Sequence, residues 1–389
     1  MGRTTGAAEA SAPAEASAPA EASTPAEAST PAEASTPAEA QDLEVAQGPG
    51  EQPRKTRARE SPRTHGWRRA LLATLITGAV VAPLSGAARP ETPAPAPAAV
   101  TAAVTAATLD QTYAANRANA AEASRMAEAH GNGERAAADR AMADPSRHFL
   151  TFDGRGPGLA TEVFGDLAHA DRVAVLVPGS DTSIDTYDRF RDAARALHER
   201  LTREAPQGTR TAVVAWLGYE TPATVGTTVA TAGRAEEAAP QLREFIRQLR
   251  ALTDAEPTGS AHRKPHISLL CHSYGSVVCG RAASHLDVDD IALVGSPGTG
   301  ADTAAGLRTP ARVWAARGGD DWVAEVPHIR LDLFGTTVGF GTDPVSPSFG
   351  ARVFAAGDGG HSDYFRPGST SLANLTRIVL GETSEVTHG

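Results

Sequence analysis

The chain has 389 residues, 46 acidic against 36 basic, for a formal net charge of -10. That balance gives no electrostatic basis for nucleic-acid binding. Two cysteines, Cys271 and Cys279, are too few for the cross-linked framework of a small secreted fold, so they read as small buried residues.

The first element, residues 1–66, is a disordered arm by composition. From Ala8 to Ala40, Ala-Glu-Ala-Ser-(Ala/Thr)-Pro repeats with a period of six. The recurring Pro forbids a continuous helix, and Ala methyls alone give nothing to bury. A basic cluster follows, Arg54, Lys55, Arg57, Arg59 and Arg63, continued by Arg68 and Arg69. Residues 67–88 then form a signal or membrane-anchor segment, uncharged from Ala70 to Ala88. Positive charge before an apolar run is the order of an export signal or anchor, and it directs the rest of the chain out of the cytoplasm. The run is Ala-rich and holds Pro83, so anchor and cleaved signal both stay open. The expectation is a membrane-anchored extracytoplasmic domain, or a secreted one, with membrane contact through residues 70–88. Residues 89–108 are Pro/Ala-rich and read as a tether.

Residues 109–385 carry the folded body. Leu109 to Ala143 favours helix, interrupted at His130-Gly-Asn-Gly133 and ended by Asp144-Pro145. Short β-rich runs then alternate with helical ones. Strands are expected at His148–Phe152, Ala160–Phe164, Arg172–Val177, Thr211–Trp216, His266–Leu270, Asp290–Val294, Ala311–Ala316 and Ala351–Ala355. Helices are expected near Tyr187–Glu204 and Arg234–Thr253, and after Gly275. Continuous apolar runs such as Val173–Val177 suit strands buried on both faces. The alternation reads as an α/β fold, a mostly parallel sheet with helices on both faces, whose ligand sites lie at strand carboxyl ends.

At one such end stands Cys271-His272-Ser273-Tyr274-Gly275. A small residue two before and two after a Ser, between strand and helix, is the pattern of a nucleophile elbow. Ser346-Pro347-Ser348-Phe349-Gly350 matches as well, but it has Pro347 and no strand before it. A serine hydroxyl needs a base and an oriented carboxylate, and in this kind of fold they follow in the order Ser, acid, His. Asp321 after the Ala316 strand is the expected acid, with Asp320 the alternative and Asp343 a third choice. His361, in the Gly-rich loop after the last strand, is the expected base. His272 reads as structural, while His266, His285, His328 and His388 lack a suitable position. For an oxyanion, the backbone N–H of Tyr274 is one expected donor, and Gly179 or Ser180 the other. The Trp216–Pro222 loop is a candidate wall of the pocket.

In combination, Val175–Thr182, Trp216–Tyr219, His272–Ser276, Asp321–Val323 and Gly359–Tyr364 resemble the α/β hydrolases of high-GC Gram-positive bacteria catalogued as a domain of unknown function. The resemblance covers roughly Leu109 to Leu380. It implies the α/β-hydrolase fold and carries a triad onto Ser273, Asp321 and His361. Cys271 stands where Gly is commoner, and Glu220 where Asp is expected. The expected function is hydrolysis of a small-molecule ester or lipid-like substrate, with an amide or thioester as the lesser option, through an acyl-enzyme, with no metal and no organic cofactor. The alternative is an inactive scaffold acting as an envelope-anchored binding protein.

Overall fold

A computed structural model of the chain describes residues 92–98, 104–224, 231–254, 264–326, 331–333 and 336–389. The chain divides into two units, Met1–Thr77 and Gly78–Gly389, and every described residue belongs to the second. The repeat arm, the basic cluster, the apolar segment 70–88 and His328 lie outside the described residues. Among the described residues no helix is long and apolar enough to cross a membrane.

Two helices come first, α1 (Leu109–Ala129) and α2 (Gly133–Met142). The turn between them uses Gly131 at φ +84°, and Asn132 caps α2 by accepting the Arg135 N–H at 3.1 Å. The buried Asn116 amide donates to the Phe149 and Leu150 carbonyls, both at 3.0 Å, which fixes α1 to the first strand. From α2, Arg135 donates to the carbonyls of Gly154 and Gly156 and to the Asp185 carboxylate. Asp139 is buried 3.7 Å from Arg135 Nε, and burial pushes its carboxyl up to about 7 despite that cation. Part of the expected tether rests on these helices, since Thr92 and Ala96 accept hydrogen bonds from Asn132 and Asn119.

The body then runs β1 (His148–Asp153), β2 (Leu159–Gly165), β3 (Arg172–Val177), α3 (Tyr187–Glu204), β4 (Thr211–Leu217), α4 (Gly233–Thr253), β5 (His266–His272) and α5 (Gly275–Ala282). It continues through β6 (Asp290–Val294), β7 (Arg312–Ala316), β8 (Leu331–Leu333), β9 (Thr336–Val338), β10 (Arg352–Val353) and α6 (Thr370–Leu380). Eight strands form one sheet in the order β1-β2-β4-β3-β5-β6-β7-β10, while β8 and β9 pair as a separate hairpin. Only β1 with β2 and β2 with β4 are antiparallel in the large sheet.

Strand alternation builds two cores, because successive side chains point to opposite faces. Val173, Val175, Val177, Leu269 and Cys271 face α4 and α5, and Ala174, Leu176 and Leu270 face α3 and α6. The middles of the central strands are therefore almost wholly apolar, Ser268 being the exception, and polar residues sit at their ends. The chain passes from β3 outward to β4, then returns to the other side of β3 for β5. That reversal opens a crevice at the carboxyl ends of β3 and β5.

Four features differ from the sequence reading. The hairpin β8–β9 and the helix α6 were not anticipated, and the last strand is only Arg352–Val353. Its continuation leaves the ladder, since Phe354 bridges to His388 instead. Cys271 and Cys279 are not separate buried thiols but a disulfide. One sits at the end of β5 and the other on α5 just across the turn, their Cα atoms 6.5 Å apart and within bridging reach.

Candidate active site

Ser273 stands between the end of β5 and the start of α5, with a left-handed backbone at φ +54°. A non-glycine residue holds that conformation only when its surroundings fix it. The Ser273 N–H donates to the Val294 carbonyl at 3.0 Å, and its own carbonyl accepts from Ser276 at 2.9 Å. The turn also needs glycine next to it. A Cβ on Gly275 would lie 2.6 Å from the Pro178 carbonyl oxygen, so only glycine lets α5 approach the end of β3. A Cβ on Gly179 would lie 2.6 Å from Cβ of Ser273, so the backbone after β3 runs directly against the serine.

Three loops bring their side chains to this turn. His361 Nε2 is 2.9 Å from Ser273 Oγ, and His361 Nδ1 is 2.9 Å from Asp321 Oδ1. With Asp321 ionised, Nδ1 carries the proton and Nε2 is left as an acceptor for the serine hydroxyl. Asp321 follows β7 and caps the short 3-10 helix Trp322–Glu325, its Oδ1 accepting the Val323 N–H at 2.9 Å. Its Oδ2 accepts from the Tyr364 hydroxyl, which in turn accepts the Gly318 N–H at 2.9 Å. Burial alone would raise the Asp321 carboxyl. Hydrogen bonds from His361, Tyr364 and Val323 outweigh it and hold the carboxyl below its ordinary range. The carboxylate is thus a permanent anion beside the imidazole.

His272 faces the same loop from below. Its Nε2 is 2.7 Å from the His361 carbonyl oxygen, which can only accept, so Nε2 carries the proton. Burial pushes His272 down to about 4, with the neighbouring His361 adding to the effect, so its ring is neutral at ordinary pH. It pins the backbone of the residue whose ring meets Ser273.

Of the alternative acids, neither reaches the site. Asp320 is exposed on the turn before Asp321, because only the second of the pair points inward. Asp343 pairs with Arg317. His266 is bound to Asp290 at 2.7 Å, at the opposite end of β5. The Trp216–Tyr219 segment is not a pocket wall. Trp216 and Tyr219 are buried, and the Tyr219 hydroxyl donates to the Pro178 carbonyl at 2.7 Å, bracing the loop that carries Gly179.

Two contributors were missed in the sequence. Gly295 after β6 has φ +57°, and a Cβ there would fall 2.9 Å from Asp321 Oδ2 and 3.1 Å from His361 Nδ1. It clears the space in which acid and base meet. Tyr364 buttresses the acid; in the sequence it stood only as the last residue of the Gly359–Tyr364 motif, with no role given to it.

Ser273 and His361 open into a cleft of about 600 Å³. Its walls include Pro178–Thr182 after β3, the Thr186, Arg189, Phe190 and Ala193 side of α3, and Trp322 with Phe365. Trp322 is 51% exposed, with its ring 4.7 Å from that of His361. Among the described residues, no group of three or more His, Cys, Asp or Glu side chains is arranged to hold a metal ion.

Residues 153–331 match the family described as alpha/beta hydrolase. Over these residues the chain is similar to the alpha/beta hydrolases. The uncharacterized protein Rv2079 of Mycobacterium tuberculosis and its counterpart MT2140 from another strain are each 28% identical over 254 residues. The match takes in 58% of this chain, which spans only 37% of each relative's length. Among solved structures, esterase PE8 is 18% identical with a TM-score of 0.38, covering 58% of this chain and 99% of its own. XC6422 from Xanthomonas campestris, a serine hydrolase without a lid, is 16% identical with a TM-score of 0.36, covering 62% of this chain and 95% of its own.

Proposed function

We propose that the hydrolase domain cleaves carboxylic esters through an acyl-enzyme on Ser273. One observation carries this reading: the unbroken line from Ser273 Oγ to His361 to Asp321, with both contacts at 2.9 Å. Ser273 Oγ adds to the ester carbonyl carbon while its proton passes to His361 Nε2. The bond from that carbon to the alcohol oxygen then breaks, and His361 returns the proton to the leaving oxygen. Water, losing a proton to His361, attacks the acyl carbon; the bond from that carbon to Ser273 Oγ breaks, Oγ takes the proton back from His361, and the carboxylic acid leaves. Asp321 fixes the ring orientation and balances the imidazolium. The Tyr274 N–H at the start of α5 and a backbone N–H of Gly179 or Ser180 are the proposed donors to the oxyanion. The close passage of Gly179 beside Ser273 supports that assignment. A working place outside the cytoplasm is supported by the Cys271–Cys279 disulfide, which persists in oxidising compartments.

The test is labelling with a fluorophosphonate probe, followed by p-nitrophenyl esters of graded chain length. Labelling that is lost in Ser273→Ala supports the enzyme. Well-folded protein that neither labels nor turns over esters overturns it and leaves a binding scaffold.

A further inference from the structure

On the α3 wall of the cleft, Arg189 is exposed and carries no ion pair among the described residues. On α3, Arg191, Arg195 and Arg200 are each matched to a carboxylate, and the usual spacings bring Asp185, just before the helix, and Asp192 toward Arg189. Both are taken. Asp185 accepts two hydrogen bonds from Arg135 on α2, at 3.1 and 3.0 Å, and Asp192 pairs with Arg195 at 3.1 Å. The one carboxylate among the other cleft-lining residues, Asp181, accepts the Thr224 N–H at 3.0 Å. The chain, acidic overall, has therefore kept an arginine without an ion pair among the described residues on the wall of the cleft that also holds Ser273.

Beside Arg189 and Thr186, the α3 wall carries apolar side chains. Phe190, next to Arg189, rests edge-on against the buried Tyr187 ring, 5.9 Å between centroids, and Ala193 continues the same helix face. Across the cleft the half-exposed Trp322 indole covers His361. A guest in this space meets the aromatic surfaces of Phe190, Trp322 and Phe365, the Arg189 cation and the exposed Asp181 carboxylate.

We propose that the substrates are esters with an apolar body and an anionic group, a carboxylate or a phosphate, and that Arg189 selects for the anion. The proposal rests on the ester-hydrolase reading above. The apolar body lies between Trp322 and Phe190 while its acyl carbon meets Ser273, and the charged group pairs with the Arg189 guanidinium. A planar fork of N–H donors fits the oxygens of either anion.

Matched substrates test this. The p-nitrophenyl monoester of suberic acid is compared with p-nitrophenyl octanoate, which differs only in the terminal carboxylate. On the leaving-group side, 4-acetoxybenzoate and 4-acetoxyphenyl phosphate are each compared with methyl 4-acetoxybenzoate. The expected result is a higher kcat/KM for the anionic member of at least one pair. Arg189→Gln should cut that preference roughly fivefold, the scale of one partly exposed ion pair, and Arg189→Glu should reverse it. Raising the salt concentration should erode the preference in the wild-type protein. Fluorophosphonate labelling of both variants is the check that Ser273 stays reactive. Equal ratios in wild type and variants, with labelling and turnover intact, overturn the selection by Arg189. Loss of labelling and turnover in the wild type would instead strike the ester-hydrolase reading beneath it.

Discussion

The two ends of the sheet each hold a histidine against a buried aspartate, and only one of them has the makings of chemistry. At the amino end of β5, His266 meets Asp290 at 2.7 Å, and Asp290 also takes two hydrogen bonds from Arg312 and one from Trp314, all at 2.7 Å. At the carboxyl end, His361 meets Asp321 at 2.9 Å, with Tyr364 as the further side-chain donor. Asp290 is saturated by a cation and an indole, and its histidine leads to no nucleophile. Among the described residues Asp321 has no Arg or Lys beside it, and its histidine leads to Ser273 at the mouth of a cleft. A histidine–aspartate contact is thus a structural unit by default. What the imidazole's far nitrogen reaches decides whether it can move a proton toward a substrate.

Matched substitutions at the two ends should break this comparison open. Asp321→Asn should lower kcat by roughly 10⁴-fold, since the ring loses the partner that fixes its tautomer, with little change in the unfolding midpoint. Asp290→Ala should do the reverse. Leaving Arg312 and His266 without their buried anion should cost about 3 kcal/mol of stability by urea titration, while kcat of the folded fraction stays near wild type. A drop in kcat for both variants, at equal folded fractions, would erase the distinction. Smaller cuts follow the same line. Tyr364→Phe should reduce kcat about fivefold to tenfold, the loss of one hydrogen bond to a charged group. Trp314→Phe should lower stability by about 1 kcal/mol and leave kcat alone.

A third buried carboxylate gives the smallest and most pH-dependent effect. Asp290 lies below its ordinary value of 3.8 in the fold, because hydrogen bonds from His266, Arg312 and Trp314 outweigh its burial. Its contribution to stability is complete above that value and is lost as the pH falls through the depressed one. Asp139 runs the other way, raised by burial from 3.8 to about 7. Its contribution is present below pH 3.8 and is lost as the pH rises through about 7. Asp139→Asn should therefore raise the melting temperature at pH 8 relative to wild type, with a smaller difference at pH 4. A melting profile parallel to wild type across that range would count against the buried ionisation.

Ser273, Asp321 and His361 were legible because each follows a strand, and strand ends in a parallel sheet converge on one rim. Their order along the chain added the rest. Asp321 could be preferred to Asp320 because Val323, two residues on, had to pack inward, and its buried N–H now donates to the carboxylate. Gly295 was not legible. Its importance lies in the side chain it lacks, beside groups 26 and 66 positions further along the chain, and no local pattern marks it. The helix α6 did have signals in Ser369 before it, Gly381 after it, and Leu372, Leu375, Ile378 and Val379 along one side. A reading directed at strand ends passes over them. The Trp216–Tyr219 loop misled because aromatic residues beside a site suit a wall and a brace equally well, and only the Tyr219 bond to Pro178 separates the two.

The Cys271–Cys279 bond spans eight positions and encloses Ser273. A loop that small restricts the unfolded chain by only about 2.5 kcal/mol on entropic grounds, so its main effect falls on the turn it straddles. A sample purified with a thiol reductant should fold and pass every bulk check. It would nevertheless carry a loosened hinge at the one residue whose backbone must stay in an unfavourable conformation. Preparations of this protein are therefore best compared at a stated redox potential, because two batches with identical spectra could differ in the fraction of molecules whose serine is correctly aimed.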